Sequence, residues 1–575
     1  MSLMSSFYTG VSGLRSSQNS LNTTSHNLAN VETSGYVRQQ VVQVDSAYVK
    51  WGMTHISTLQ TGLGVDISAV RQVRDVFLDK SYRLEIGRQG FYEVQDEAVR
   101  EVESMFGELE GVTFQDNLED LWTSLQELAK DPSDVTRTTL IQSSVNFINR
   151  AQIISEQLQA YQVNLNAQII SKVDRINQVA KGIESLNREI NFYESNRVEN
   201  ANDLRDERNS LLDELGQIIS ITYKENIDGI VTVNAEGMQL VSEDRVFKMG
   251  TEKVSDTSIF LKPVWTSHGG QDVINMDKAP STNDNTDIGS LKGLLASRGS
   301  QSVNYTNNYQ REDFATDADF DLAKREYNNK TFPSVIMTVQ AEFDTLIHGI
   351  VTAINDILCP NDEVTLTDGS GIKLKVLAEN APAGMDSGST KGEPLFQRKT
   401  MDRYREPTAY EIANSGGAIT STSKILIEED PLNNYSLYTL GQLEVNPDVL
   451  ANNSLLPLCS STGSQDYDRA MIDKLTSKWQ AAFATISPNT LTKENFNGFY
   501  TSMMGGLSNR GEEYYEMSTN QAAMVNSINN QRLKTAGVSS DEELTNLIKF
   551  QHAYNASARY ITVISEMLEH IVTRL

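Results

Sequence analysis

The chain has 575 residues, of which 39% are hydrophobic, and a formal net charge of -27 from 76 Asp and Glu against 49 Lys and Arg. Such a length exceeds one compact core and calls for several domains. The acidic excess excludes binding to nucleic-acid phosphates through clustered Lys and Arg, and no run of about 18 apolar residues predicts a membrane-spanning helix. The opening MSLMSSFYTG has neither a basic segment nor an uninterrupted apolar stretch, so a Sec-type signal is not expected.

Phe7, Leu14, Leu21 and Leu28 recur every seven residues, with Met4 and Val11 on the companion row and Gln18 and Ser25 diluting it. Apolar residues at a period of 3.5 predict an amphipathic helix with a packing seam. The pattern stops in SHNLANVETSGYVR at 25–38, where Asn27 and Asn30 can bond local backbone groups and Gly35 can take positive φ. Tyr36 then begins an extended segment. TGLGVD at 61–66 matches only part of a dinucleotide-binding motif.

Residues 136–195 carry Leu158, Tyr161, Leu165, Ile169, Val173, Ile176, Val179, Ile183, Leu186 and Ile190 at helical spacings without a proline. One continuous helix there would be about 90 Å long. ISITYKENIDGIVTVN alternates about Asp228-Gly229, a hairpin signal inside 219–250. Asp317, Asp319 and Asp321 alternate as in a calcium loop, but Leu322 stands where that loop needs Gly and no Glu stands at its twelfth place. A solvated acidic loop is expected instead.

Further helices are predicted over 332–358, through Val339, Phe343, Leu346, Ile350 and Ile354, and over 493–535, through Phe496, Tyr500, Met503, Leu507, Tyr514, Met517, Met524 and Ile528. Between them, 359–462 is rich in Gly, Ser, Asn and Asp with short strand-like pieces, and Cys359 and Cys459 flank it. These two are read as ordinary thiols, with a disulfide between them as the alternative. At the C-terminus, Leu547, Tyr554, Ile561, Leu568 and Leu575 again fall seven apart, and Ser540 with Glu543 has capping-box spacing.

The six histidines form no metal-ligand pairing, and no nucleophile elbow, phosphate loop or zinc motif occurs. No enzyme, cofactor or metal is expected. The fold class is multidomain and mainly α with β insertions. Coiled-coil-like terminal helices (1–60 plus 536–575) enclose a helical bundle (61–218 plus 320–358 plus 463–535), a β-rich domain (219–319) and a variable β-rich or irregular insertion (359–462). A lone pair of narrow-striped helices buries little surface, so Phe7, Val11, Leu14, Leu21, Leu28, Leu547, Tyr554, Ile561, Leu568 and Leu575 are expected to pack between subunits. Repeated heterologous contacts give helical tubes.

The motif Asn27, Leu28, Ala29, Asn30, Thr33, Gly35, Tyr36 resembles the N-terminal signature of the bacterial flagellar rod, hook and hook-associated proteins, with His26 in place of a common Asn. ELTNLIKFQHAYNASARYITVISEMLEHIV resembles the C-terminal signature of the same axial family. Arg38 within VRQQ, and the blocks at 62–85, 202–221, 287–299 and 538–561, resemble the FlgK-type branch; only 359–462 matches no pattern. The resemblance implies a structural protein without catalytic or cofactor sites. It implies export through the flagellar type III channel with a FlgN-type chaperone on the C-terminal segment, and assembly outside the cell at the hook tip. The implied partners are copies of itself, the hook protein and a second, FlgL-type junction protein, with neither nucleic acid nor membrane.

Overall fold

The computed structural model describes residues 3–33, 35–50, 60–107, 113–195, 200–256, 258–460 and 466–574. The first pattern becomes α1 (Leu3–Ala29). It is followed by β1 (Gln39–Asp45), β2 (Tyr48–Lys50), β3 (Gln60–Gly62) and β4 (Val65–Gln72), a long antiparallel hairpin in which β1 pairs with β4 and β2 with β3.

The chain then enters a bundle of α2 (Val76–Phe106), α3 (Phe114–Lys130), α4 (Asp134–Glu194) and α5 (Asn202–Ile218). Thr113 with Asp116, and Ser133 with Thr136, form reciprocal capping boxes that fix where α3 and α4 begin. α4 is a single helix of 61 residues. Its Leu158, Leu165, Ile169, Val173, Ile176, Val179, Ile183 and Ile190 are buried, which is the predicted stripe. The predicted hairpin is present as β5 (Ile221–Glu225) paired with β6 (Val231–Ala235), and Gly229 takes φ +76° in its turn. β7 (Met238–Val241) completes that sheet, and β8 (Met249–Lys253), β9 (Leu261–Trp265) and β10 (Gln271–Asp272) form the next.

The chain returns to the bundle as α6 (Ser290–Arg298), all nine residues of which are buried. Its Gly293 lies so close to the Phe91 carbonyl of α2 that a Cβ would meet that oxygen at 2.9 Å. The acidic run at 317–321 corrects the expectation of a loop. It opens α7 (Asp317–Glu326), with Thr316 accepting from the Asp319 amide and two carboxylates in the first turn, where the helix dipole favours them. α8 (Val335–Leu358) then runs through the core, with Val339, Phe343, Leu346, Ile350 and Ile354 buried as the spacing predicts.

Residues 361–451 carry β11 (Asn361–Thr365), β12 (Lys373–Leu377), β13 (Phe396–Arg398), β14 (Tyr404–Arg405), α9 (Ala409–Asn414), β15 (Ile425–Leu426), β16 (Leu443–Val445) and α10 (Pro447–Ala451). One sheet has the order β11-β12-β15-β14, over a small core of Val376, Ile419 and Ile425. So short a set of strands needs other ties. The buried Arg398 supplies one by donating to the Met401, Asp402 and Ser436 carbonyls. Glu429 supplies another: it accepts from Tyr305 at 2.7 Å and meets the His348 ring nitrogen at 2.9 Å, joining this segment to α8. Cys359 and Cys459 are free and buried, so no disulfide links them.

α11 (Arg469–Gln480), α12 (Phe496–Ala536) and α13 (Ser540–Arg574) complete the chain. The predicted seam of α12 holds at Phe496, Tyr500, Met503 and Leu507, which are buried, but fails at Met517 and Met524, which are exposed. Beyond Leu507 Tyr514 still packs against the main core, and only Val525 is buried in the second half of the helix. The architecture is mainly α with β insertions. One core of packed side chains unites the bundle with the β5–β7 and β8–β10 sheets and with β13 and β16, and within it Phe114 contacts Phe343, Tyr500 and Phe147 with ring centroids 4.9, 5.2 and 5.5 Å apart.

Glu342 of α8 is buried in this bundle, and its burial, only partly opposed by Arg510, pushes its carboxyl up to about 8. The folded chain therefore holds the proton more tightly than the unfolded chain. Stability is intact below about pH 4, falls as pH rises through the gap between the two values, and stops falling above about pH 8. The full gap corresponds to on the order of 5 kcal/mol at about 1.4 kcal/mol per unit. Glu342→Gln is expected to remove most of that dependence and to raise stability at pH 8 by ~2 kcal/mol or more, read as the difference in urea midpoints between pH 5 and pH 8.

Candidate assembly site at the terminal helices

α1 and α13 pack against each other along their length, antiparallel, so the two ends of the chain form one unit. The side of α1 that meets α13 consists of small residues. Gly10 would drive a Cβ to 2.8 Å from Ile561 and 3.0 Å from Tyr560, and Gly13 would drive one to 3.0 Å from the Ser557 hydroxyl. Gly10, Gly13, Ser17, Ser20, Thr24 and Asn27 repeat at alternating spacings of three and four, and five of them are buried. A small-residue seam lets two helix backbones approach more closely than a leucine seam allows.

On α1 the predicted stripe is therefore not the seam itself. Phe7, Val11, Leu14, Leu21 and Leu28 are each half-buried on the flank of the contact. On α13, Leu547, Tyr554, Ile561 and Leu568 are half-buried, and Ile561 lies against Gly10. Leu575 lies outside the described residues. The sequence carried the true signal in its row of small residues, but that row has no hydrophobic contrast and so no moment to detect.

The β1–β4 hairpin covers a further side of α1. The Val65 amide donates to the Ser12 hydroxyl at 3.2 Å, and Gly64, at φ +104°, lies so close to Ser12 that any Cβ would overlap it. The partial dinucleotide motif is thus a tight strand-to-helix approach.

Asn27 sits at the corner where α1 ends, with 1% exposure. Its Oδ1 accepts from the Tyr36 hydroxyl at 2.8 Å and from the Gln39 amide at 3.0 Å. Its Nδ2 donates to the Gln39 carbonyl at 2.9 Å and to Glu543 at 3.2 Å. One side chain thus ties the end of α1, the start of β1 and the first turn of α13. Asn30 donates back to the His26 carbonyl, the Thr33 hydroxyl donates to Asn30, and Gly35 takes φ +82°. Ser539, not Ser540, precedes α13: its hydroxyl accepts from the Glu542 amide. Glu543 turns to Asn27 rather than back to a cap, because the corner offers it a buried donor.

The same corner holds the terminal unit on the bundle. The Arg38 amide donates to the Ala536 carbonyl at the end of α12, and its guanidinium meets Glu542 at 2.8 Å. The Val37 amide donates to Asp206 of α5, and the Gln39 side chain to Asp203. Burial pushes the Asp206 carboxyl up to about 7, against the opposing pull of the Val37 amide and Arg74. Burial and the carboxylates of Asp203, Asp206 and Glu543 likewise raise Tyr36, so its hydroxyl stays a donor. Arg532 of α12 adds bonds to Asp79 of α2 and Asp213 of α5, each at 2.9 Å.

Three family models match in series. Residues 7–36 match the flagella basal body rod protein model, residues 99–360 the helical domain of flagellar hook-associated protein FlgK, and residues 529–574 the C-terminal model of the flagellar basal body rod FlgEFG proteins. The flagellar hook-associated protein 1 of Bacillus subtilis is 23% identical over 97% of this chain and 96% of its own. That of Escherichia coli is 24% identical over 98% of each. Across most of its length the chain is similar to the FlgK-type flagellar hook-associated proteins.

These matches make it a flagellar axial component, and its similarity to structural flagellar proteins fits a protein without catalysis. The two rod-type matches fall on α1 with its corner and on α13, the elements that the structure brings together. A solved structure of the flagellar hook junction protein FlgK from Burkholderia pseudomallei matches with a TM-score of 0.45 at 13% identity, over 80% of this chain and 100% of that one. Among the described residues, no group of His, Cys, Asp or Glu could hold a metal, and no helix is long and apolar enough to cross a membrane.

Proposed function

We propose that this chain is the structural junction between the flagellar hook and the filament. It leaves the cell through the type III export channel, its C-terminal segment held before export by a FlgN-type chaperone. It then assembles outside the cell at the hook tip with copies of itself, between the hook protein and a second, FlgL-type junction protein. The observation that carries this reading is the terminal helix pair. It closes on a seam of small residues, leaves Met4, Tyr8, Leu544, Ile548, Val563 and Met567 exposed, and so presents apolar surface that an isolated subunit does not cover. Phe7, Val11, Leu14, Leu21, Leu28, Leu547, Tyr554, Ile561, Leu568 and Leu575 serve that assembly in this reading. Asn27, Asn30, Thr33, Gly35, Tyr36 and Arg38 set the angle at which the helix pair leaves the bundle.

Cells lacking the gene are expected to carry bare hooks and to shed flagellin into the medium, as seen by electron microscopy and immunoblotting. Normal filaments on normal hooks would overturn the proposal, and absent hooks would move the chain to a rod or hook role.

A further inference from the structure

Away from the terminal helices, a cavity of about 1000 Å³ opens between the β8–β10 sheet, α6 and the start of α8. Its lining runs from Glu236 to Met337 and includes no residue of α1 or α13. That volume falls within the range of sites that hold small organic molecules, about 300–1,000 Å³. Ile274, Ile288, Leu295, Ala296 and Met337 give it an apolar wall. Two charged side chains, Lys292 of α6 and Glu236 of the β6–β7 turn, stand in the same lining.

Lys292 is 6% exposed, and among the described residues its ammonium has neither a hydrogen bond nor an ion pair. Burial pulls that ammonium down, against Glu236 and Asp287, and Lys278 of the same lining pulls the same way. Asp287 is already taken up by Arg88, Tyr92 and Thr282. Glu236 is placed by an unusual turn. Glu236 and Gly237 alone join β6 to β7, at φ +48° and +80°. A two-residue turn with positive φ at both positions ordinarily takes Asn, Asp or Gly first. Glu there carries strain that the hairpin does not need. Its Oε1 is buried without a hydrogen-bond partner. Burial pushes the carboxyl up, opposed only by Lys292 and the Ser220 amide. Glu236 and Lys292 thus feel each other's charge, yet they do not close into an ion pair. A buried charge without a partner is costly, and so is a buried acceptor. Held apart beside an apolar wall, the two leave a gap that one molecule bearing both charges fills.

We infer that this cavity binds a small zwitterion with an apolar body, of the α-amino-acid class. Its carboxylate meets Lys292, its ammonium meets Glu236, and its side chain lies on the apolar wall. A simple anion would satisfy Lys292 and leave the Glu236 oxygen bare, and a simple cation would do the reverse.

Isothermal titration calorimetry on the full chain tests this with L-leucine, with L-leucinamide, which lacks the carboxylate, and with isocaproate, which lacks the amine. L-leucine is expected to bind at least tenfold more tightly than either analogue. Lys292→Met is expected to weaken L-leucine at least tenfold and to leave leucinamide unchanged. Glu236→Gln is expected to weaken L-leucine likewise and to leave isocaproate unchanged. No binding of L-leucine, L-methionine or L-phenylalanine at millimolar concentration would overturn the site. Either analogue binding as tightly as L-leucine, or either variant binding L-leucine as the wild type does, would overturn the zwitterion assignment. If a variant loses native circular dichroism, the comparison of probes on the wild-type chain decides by itself.

Discussion

Asn27→Ala is expected to release the terminal helix pair from the bundle without unfolding the bundle. The substitution removes a partner from the Gln39 amide and carbonyl, from the Tyr36 hydroxyl, which keeps His26, and from the buried Glu543 carboxylate, around a side chain that is itself only 1% exposed. A buried polar group left without a partner costs about 1–3 kcal/mol, so the joint should lose on the order of 4 kcal/mol after relaxation. That corresponds to about a 1000-fold rise in local opening. Hydrogen exchange at Gln39 and in the first turn of α13 is the direct measurement, and swimming motility the functional one. Unchanged exchange there would show that the Arg38, Val37 and Asp203 contacts hold the corner by themselves. Asn27→Asp is a useful companion. It keeps the two acceptors but sets a carboxylate against Glu543, so it should fail in the same way.

Phe343→Ala is expected to do the reverse, weakening the bundle and leaving the corner intact. Phe343 packs edge-on to Phe106 and Phe114, at 5.2 and 4.9 Å between centroids, where α2, α3 and α8 meet. Removing a buried phenyl ring costs about 3–5 kcal/mol through lost burial and the cavity left behind. Urea denaturation followed by helix circular dichroism should show that loss, with exchange at Gln39 unchanged below the transition. If both regions lost protection together, the terminal unit and the bundle would be one cooperative body rather than a joint between two.

The sequence by itself determined the elements whose signals are local and high in contrast. The stripe on α4 marked a helix of about 90 Å because buried and exposed positions differ sharply in hydrophobicity and no proline interrupts them. The Asp228-Gly229 turn marked the β5–β6 hairpin because positive φ there favours glycine. The dense punctuation at 25–38, with the signature at the far end of the chain, placed the protein among flagellar axial proteins.

Only the tertiary structure decided what each feature touches. The apolar row of α1 read as the seam, yet α13 lies on the small residues one position away, since close approach of backbones depends on what is missing from a side chain. Asp317 and Asp319 read as loop residues until Thr316 was seen to cap them into a helix. The run of α12 past Leu507 kept a helical pattern that is covered only at Tyr514 and Val525, with Met517 and Met524 left exposed. Asn27 carried no sign that its four hydrogen bonds would join residues as distant as Gln39 and Glu543. Periodicity reports which face of a helix is apolar. Which partner meets that face depends on long-range contacts, and their geometry is written across chain ends more than 500 residues apart.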